Sequence, residues 1–133
     1  MKTLESDWYV VKGSVENTTG GIVVNGDAHL ILAEGAEFVV SGQVEEEENG
    51  MGAAGVCVVG ENKLNVYGET AECTGKLIAQ GGYGAAGIGG VYGGSQTACG
   101  AIDIHGGIVM ATGGAAAAGI GGGARGAGGV ISV

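Results

Sequence analysis

The sequence predicts an all-β repeat fold, a single-stranded parallel β-helix of about four three-sided coils, and three observations carry that prediction. The first is a glycine-alanine-aliphatic block, Gly113-Gly114-Ala115-Ala116-Ala117-Ala118-Gly119-Ile120-Gly121-Gly122. A copy lies 32 positions earlier at Gly81-Gly82-Tyr83-Gly84-Ala85-Ala86-Gly87-Ile88-Gly89-Gly90, and a third, Gly50-Met51-Gly52-Ala53-Ala54-Gly55-Val56, another 32 positions back. Self-similarity at a fixed period is the signature of stacked repeats. The second observation is a set of short aliphatic runs that return in rotation along the chain. The third is composition: 32 of the 133 residues are Gly, there is no Pro, and 45% are hydrophobic. Collagen is excluded because the glycines do not fall at every third position and Pro is missing. Glycine therefore reads as the turn residue of a β-rich fold within one small domain, residues 1–133.

The runs justify the coil strand by strand. One family comprises Tyr9-Val10-Val11, Phe38-Val39-Val40, Leu77-Ile78-Ala79 and Val109-Met110-Ala111, each closing on a polar residue and Gly. A second comprises Leu30-Ile31-Leu32, Leu64-Asn65-Val66, Ile102-Asp103-Ile104 and Ile131-Ser132-Val133. A third comprises Ile22-Val23-Val24, Val56-Cys57-Val58, Gly87-Ile88 and Gly119-Ile120. Three strands per repeat in constant order make a coil whose strands pair with their equivalents one turn away. Side chains alternate between faces along a strand. In the second family this places Leu30, Leu32, Leu64, Val66, Ile102 and Ile104 inside and Ile31, Asn65, Asp103 and Ser132 outside.

In the first family the charged outward neighbours Glu37 and Lys76 put Phe38, Leu77 and Val109 inside. The inward rows then run Tyr9, Phe38, Leu77, Val109 and Val11, Val40, Ala79, Ala111, a core widest near the N-terminus. The same alternation turns Val10, Val39, Ile78 and Met110 outward as an apolar stripe. A contiguous exposed patch marks an interface, so the expected partner is a second copy of the chain, or further repeats of a parent chain.

The blocks Gly-Ala-Ala-Gly-Ile-Gly-Gly, Leu-Asn-Val-Tyr-Gly and Ile-Asp-Ile-His-Gly-Gly-Ile-Val-Met-Ala-Thr-Gly-Gly resemble glycine-rich repeats of large cell-surface proteins of Gram-positive bacteria, over about residues 20–133. The resemblance implies a right-handed β-helix serving as a surface, adhesive or carbohydrate-binding stalk, and carries no catalytic residues. The chain departs from that pattern in its start, which lacks the apolar core of a signal peptide. The expected location is the cell surface if the chain belongs to a longer protein, and the cytoplasm if it is full length.

Charge narrows the partners. The net charge is −9, with five basic residues. Nucleic acid is excluded as a partner because its affinity comes from Lys and Arg on phosphates, and anionic membrane surfaces are excluded on the same ground. No apolar run approaches the ~20 residues of a membrane span, so no membrane insertion is expected. Cys57, Cys73 and Cys99 have no metal-ligand spacing and read as free thiols, the alternative being a Cys73–Cys99 bridge.

Four constellations have chemistry to weigh. Gly82-Tyr83-Gly84-Ala85-Ala86-Gly87 and Gly50-Met51-Gly52-Ala53-Ala54-Gly55 match the dinucleotide-binding pattern, but no helical period follows either, and the repeat already explains the glycines. Gly81-Gly82-Tyr83-Gly84 matches the start of the calcium-binding nonapeptide, yet Ala86 stands where its Asp belongs. Glu45, Glu46, Glu47 and Glu48 are a weak candidate for a hard cation and otherwise a solvated acidic loop.

The remaining constellation is Asn65, Tyr67, Asp103 and His105, which face outward on two stacked strands. Without a cleft, a nucleophile or a third partner they suit sugar binding better than acid–base work; the bland alternative is ordinary polar surface. The sequence reading is therefore a non-catalytic structural and binding module that contacts polysaccharide and needs no cofactor. The alternatives are a small glycan-processing enzyme using Asp103 and His105, and a self-assembling element without ligand.

Overall fold

The computed structural model describes residues 2–17, 20–42, 52–70, 72, 74–92 and 98–133; Glu45, Glu46, Glu47, Glu48 and Cys73 lie outside the described residues. Among the described residues fourteen strands follow one another: β1 (Lys2–Leu4), β2 (Trp8–Val11), β3 (Ser14–Asn17), β4 (Ile22–Val24), β5 (Asp27–Leu32), β6 (Glu37–Ser41), β7 (Val56–Cys57), β8 (Lys63–Gly68), β9 (Lys76–Gln80), β10 (Ile88–Gly89), β11 (Ala101–Ile104), β12 (Ile108–Thr112), β13 (Ile120–Gly121) and β14 (Val130–Ser132). Every third strand joins the same sheet. Sheet one is β1-β4-β7-β10-β13, sheet two is β2-β5-β8-β11-β14, and sheet three is β3-β6-β9-β12. All named strand pairs are parallel. The molecule is a parallel β-helix with three faces: four complete coils, followed by two strands of a fifth.

The core is the set of inward positions. Sheet two supplies Leu30, Leu32, Leu64, Val66 and Ile102, sheet three Phe38, Val40, Leu77 and Ala79, and sheet one Ile22, Val24, Val56 and Ile88. Leu4 and Tyr9 at one end, and Ile104, Val109, Ala111 and Ile120 at the other, pack against it while only partly buried. At ~1.5–3 kcal/mol per fully buried aliphatic or aromatic side chain, the middle coils carry most of this stabilisation.

The first coil departs from the expected arrangement. Tyr9-Val10-Val11 does not start the row of Phe38; it lies in sheet two, with Tyr9 opposite Leu30 and Val11 opposite Leu32. The N-terminal neighbour of Phe38 is Val15 in β3, 39% exposed. The physical reason is coil length. Glu37 is paired with Ser14, 23 residues earlier, but with Lys76, 39 residues later. The first coil has no glycine-alanine corner to span, and its third strand, Ser14-Val15-Glu16-Asn17, carries only one aliphatic residue. The inward row of sheet three thus tapers from Phe38 through Leu77 to Val109, and its widest point is the second coil.

The same correction moves Val10. The outward row of sheet three is Glu16, Val39, Ile78 and Met110, whereas Val10 stands beside Ile31 on sheet two. The apolar stripe is three residues long there, ending on Met110, 53% exposed.

The repeated glycine-alanine blocks form the corner between sheets three and one, stacked backbone to backbone. The Gly82 N–H donates to Ala53 O at 2.9 Å and the Gly114 N–H to Ala85 O at 3.0 Å. A β-carbon on Gly82 would lie 2.6 Å from Gly52 Cα and 2.8 Å from Gly42 O, so close approach of coils dictates glycine here. At the next point of the block the demand is conformational: Gly84 has φ 73° and its counterpart Ala116 φ 62°. The corner also shelters a small second cluster of Ala54, Cys57 and Ala85 outside sheet one, which Val23, Val59 and Val91 flank. Cys57 and Cys99 are free and buried. Burial pushes the Cys57 thiol up, and burial followed by the neighbouring Cys57 pushes Cys99 up to about 11.

Candidate functional site

The outer face of sheet two is where register gathers the chemistry-bearing side chains. Because the strands pair in parallel, outward residues line up in rows. One row is Trp8, His29, Asn65, Asp103 and Ser132; the next begins Val10, Ile31, Tyr67. His105 continues that second row, since its N–H donates to Val66 O at 2.7 Å and extends the ladder just past β11.

Four rings from these rows form one stack. Trp8 lies 4.2 Å from His29 at 11° and 5.3 Å from Tyr67 at 27°, centroid to centroid. His29 and Tyr67 are 5.9 Å apart. Rings on opposite faces of the indole would be separated by about the sum of the two stacking distances, so both lie on the same face of Trp8. They sit side by side, and the Tyr67 hydroxyl shares a hydrogen bond with His29 Nδ1 at 3.0 Å. A ring-nitrogen lone pair lies in the ring plane, which suits that sideways placement. His105 stacks on Tyr67 at 4.7 Å and 7°, arriving from the C-terminal side while Trp8 arrives from the N-terminal side. Offset stacking contributes about 0.5–1.5 kcal/mol per pair beyond burial, so the stack also clamps successive coils together. Trp8 itself is 58% exposed.

Polar groups frame this stack. Asn65, expected in solvent, is only 3% exposed. Its amide nitrogen donates to Asp27 Oδ1 at 2.7 Å and to Ala28 O at 3.1 Å. Asn65 is therefore a support that fixes the Asp27 carboxylate, which itself stays 57% exposed 3.8 Å from His29 Nε2. Asp103 is held by the Lys63 ammonium at 2.9 Å, a diagonal contact, because Lys63 pairs with Ala101 and Asn65 with Asp103. The hydrogen bond that Lys63 donates to Asp103, and then the charge of that carboxylate, raise the Lys63 pKa.

Of the four residues expected to form a binding face, Tyr67 and His105 share the stack, Asp103 forms its rim, and Asn65 lies beneath. Trp8 and His29 escaped the sequence reading. Their signal is the alignment of Trp8-Tyr9-Val10-Val11 with His29-Leu30-Ile31-Leu32, which alternation alone allows once Tyr9 is assigned to the second family. Among the described residues, no group of three or more His, Cys, Asp or Glu side chains is placed to hold a metal ion, and no helix is long and apolar enough to cross a membrane.

Fold and face together define a class: a glycine-cornered parallel β-helix that carries an aromatic stack on the outside of one sheet. Comparison with protein-family models, curated proteins and solved structures finds no match to this chain.

Proposed function

We propose that this chain is a non-catalytic structural and binding module that contacts carbohydrate through the outer face of sheet two, as part of a longer bacterial surface protein. The observation that carries this reading is the exposed indole of Trp8, backed by His29 and Tyr67, with the Asp27 carboxylate beside His29. A flat apolar ring beside fixed hydrogen-bonding groups matches a sugar, whose C–H faces are apolar and whose rim is hydroxylated. The cell-surface location rests on the resemblance of the glycine-rich blocks.

An acid–base reading of Asp103 and His105 is less well supported. Asp103 is held by the Lys63 ammonium, whereas a general base must reach the proton it removes. A glycan array probed with the native chain and with Trp8→Ala tests the proposal. Retention on specific glycans, lost in the variant, is expected; absence of retention on any glycan refutes it.

A second reading, self-association, is favoured by the row Val39–Ile78–Met110 on sheet three, beside which Ile108 is also exposed. The adjoining row holds Glu37 next to Lys76, so a second copy turned about a two-fold axis between β6 and β9 sets each carboxylate against the other copy's ammonium. Sedimentation tests this reading directly.

A further inference from the structure

We propose that the sugar taken by this face carries free, protonated amines, and that the exposed indole of Trp8 with its surrounding carboxylates is the subsite for such a de-N-acetylated hexosamine. This rests on the carbohydrate-binding reading and narrows it to a ligand class. Three carboxylates lie on the segments that carry Trp8 and His29. Asp7 accepts the backbone N–H of Trp8 on Oδ1 at 2.8 Å. Glu5 accepts from Asn25 Nδ2 at 3.0 Å on Oε2. Asp27 is pinned by Asn65 and stands 3.8 Å from the imidazole that underlies the indole.

The loop bearing Glu5 and Asp7 is itself tied to β5, since Ser6 Oγ accepts the Asp27 N–H at 2.9 Å and Asp7 O accepts the His29 N–H at 2.9 Å. The fold thus fixes Asp27 beside the imidazole that underlies the indole, and Glu5 and Asp7 on the loop that leads into Trp8. Lys63, the register partner of Asp27, reaches Asp103 with its ammonium at 2.9 Å, and Lys12 lies four residues along the chain from Trp8.

An indole face attracts a cation within about 6 Å of its centroid, and Trp is the best of the aromatic residues at this. The carboxylates on the neighbouring segments deepen that attraction and oppose uronic acids, sialic acids and phosphates. A neutral hexose would gain the apolar contact with the ring and hydroxyl hydrogen bonds to the carboxylates, but no ion pair. An N-acetyl group would place an uncharged amide where the field favours an ammonium. The net charge of −9 extends the preference to long range.

Trp8 is the single tryptophan of the chain, so its emission reports on this subsite alone. The test titrates the 133-residue protein with the fully deacetylated glucosamine tetramer, its fully N-acetylated counterpart and a neutral β-1,4-glucose tetramer, following Trp8 emission, with calorimetry for Trp8→Ala. The deacetylated tetramer is expected to bind at least tenfold more tightly than either other sugar at low salt. That preference should shrink as salt rises from 0.05 to 0.5 M, as ionic screening requires. Asp27→Asn, which keeps the indole reporter, should lower the preference severalfold, and Trp8→Ala should abolish binding.

Equal or tighter binding of an uncharged tetramer, with Trp8 responding, overturns the charge assignment and leaves the carbohydrate reading standing. Undiminished binding to Trp8→Ala, or a preference untouched by Asp27→Asn, shows diffuse attraction to an acidic protein and overturns the subsite. No response to any of the three sugars overturns both.

Discussion

Replacing Gly82 by Ala separates the two reasons a β-helix uses glycine. Gly82 lies outside the left-handed region, so alanine brings no backbone strain; its added carbon, however, would lie 2.6 Å from Gly52 Cα and 2.8 Å from Gly42 O. Ordinary contact begins near 3.4 Å, and both neighbours are backbone atoms that cannot rotate away. The corner must open by the better part of an ångström, against the bonds Gly82 N–H to Ala53 O and Gly52 N–H to Tyr83 O, both 2.9 Å. Overpacking costs about 1–3 kcal/mol, and each weakened hydrogen bond about 0.5–1.5 kcal/mol. The expected loss is therefore about 2–6 kcal/mol. Two controls frame it. Gly128→Ala meets nothing within 4 Å and should stay within about 0.5 kcal/mol of the native chain. Gly13→Ala meets open space but inherits φ 67°, and should lose about 1–2 kcal/mol from strain alone. Urea unfolding followed by far-ultraviolet circular dichroism gives all three. A Gly82→Ala variant as stable as Gly128→Ala would refute the close-packed corner.

Further consequences are measurable by the same means. Ala116→Gly should stabilise the protein by about 0.5–1 kcal/mol by relieving the left-handed alanine; an equal loss would show that the residue is unstrained. Phe38→Ala should cost about 3–5 kcal/mol, and Val109→Ala clearly less because Val109 is only partly buried; equal small losses from both would contradict the assigned inward face. The Cys99 pKa is raised from 9.0 to about 11, so the unfolded chain loses that proton first. The thiol's contribution is intact below pH 9 and lost as pH rises through 11. Stability should fall across that window, and less so in Cys99→Ala relative to its own value at pH 8. Sedimentation at about 0.1 mM, where even weak contacts register, should show association that Ile78→Lys reverses, and a clean monomer would defeat the self-association reading.

Much of this architecture is legible in the residues because each coil repeats the same physical problem. Leu30-Ile31-Leu32, Leu64-Asn65-Val66 and Ile102-Asp103-Ile104 announce their inward faces by alternation, and the glycine-alanine blocks mark a corner where only backbone fits. The first coil is less legible, since Ser14–Asn17 pairs as a strand by completing a ladder, with one apolar side chain to identify it. The same gap hid the stack: placing Tyr9 beside Phe38 removed Trp8 from sheet two, and with it the partner of His29. Asn65 illustrates another limit. Alternation sets its direction correctly, but its burial depends on the carboxylate and rings that register brings around it. Cys57 also points away from the main core, and is buried because the corner folds over that side.

The carbohydrate reading stands or falls on where a bound glycan touches the chain. Amide and indole chemical shifts of the isotopically labelled protein, recorded as a glucosamine tetramer is added, answer that directly. The account predicts that the Trp8 indole N–H and the amides of His29, Tyr67, Asp103 and His105 move together and saturate with one affinity, while Val39, Ile78 and Met110 on sheet three stay fixed. Shifts centred on sheet three, or none at any concentration reached, would contradict it.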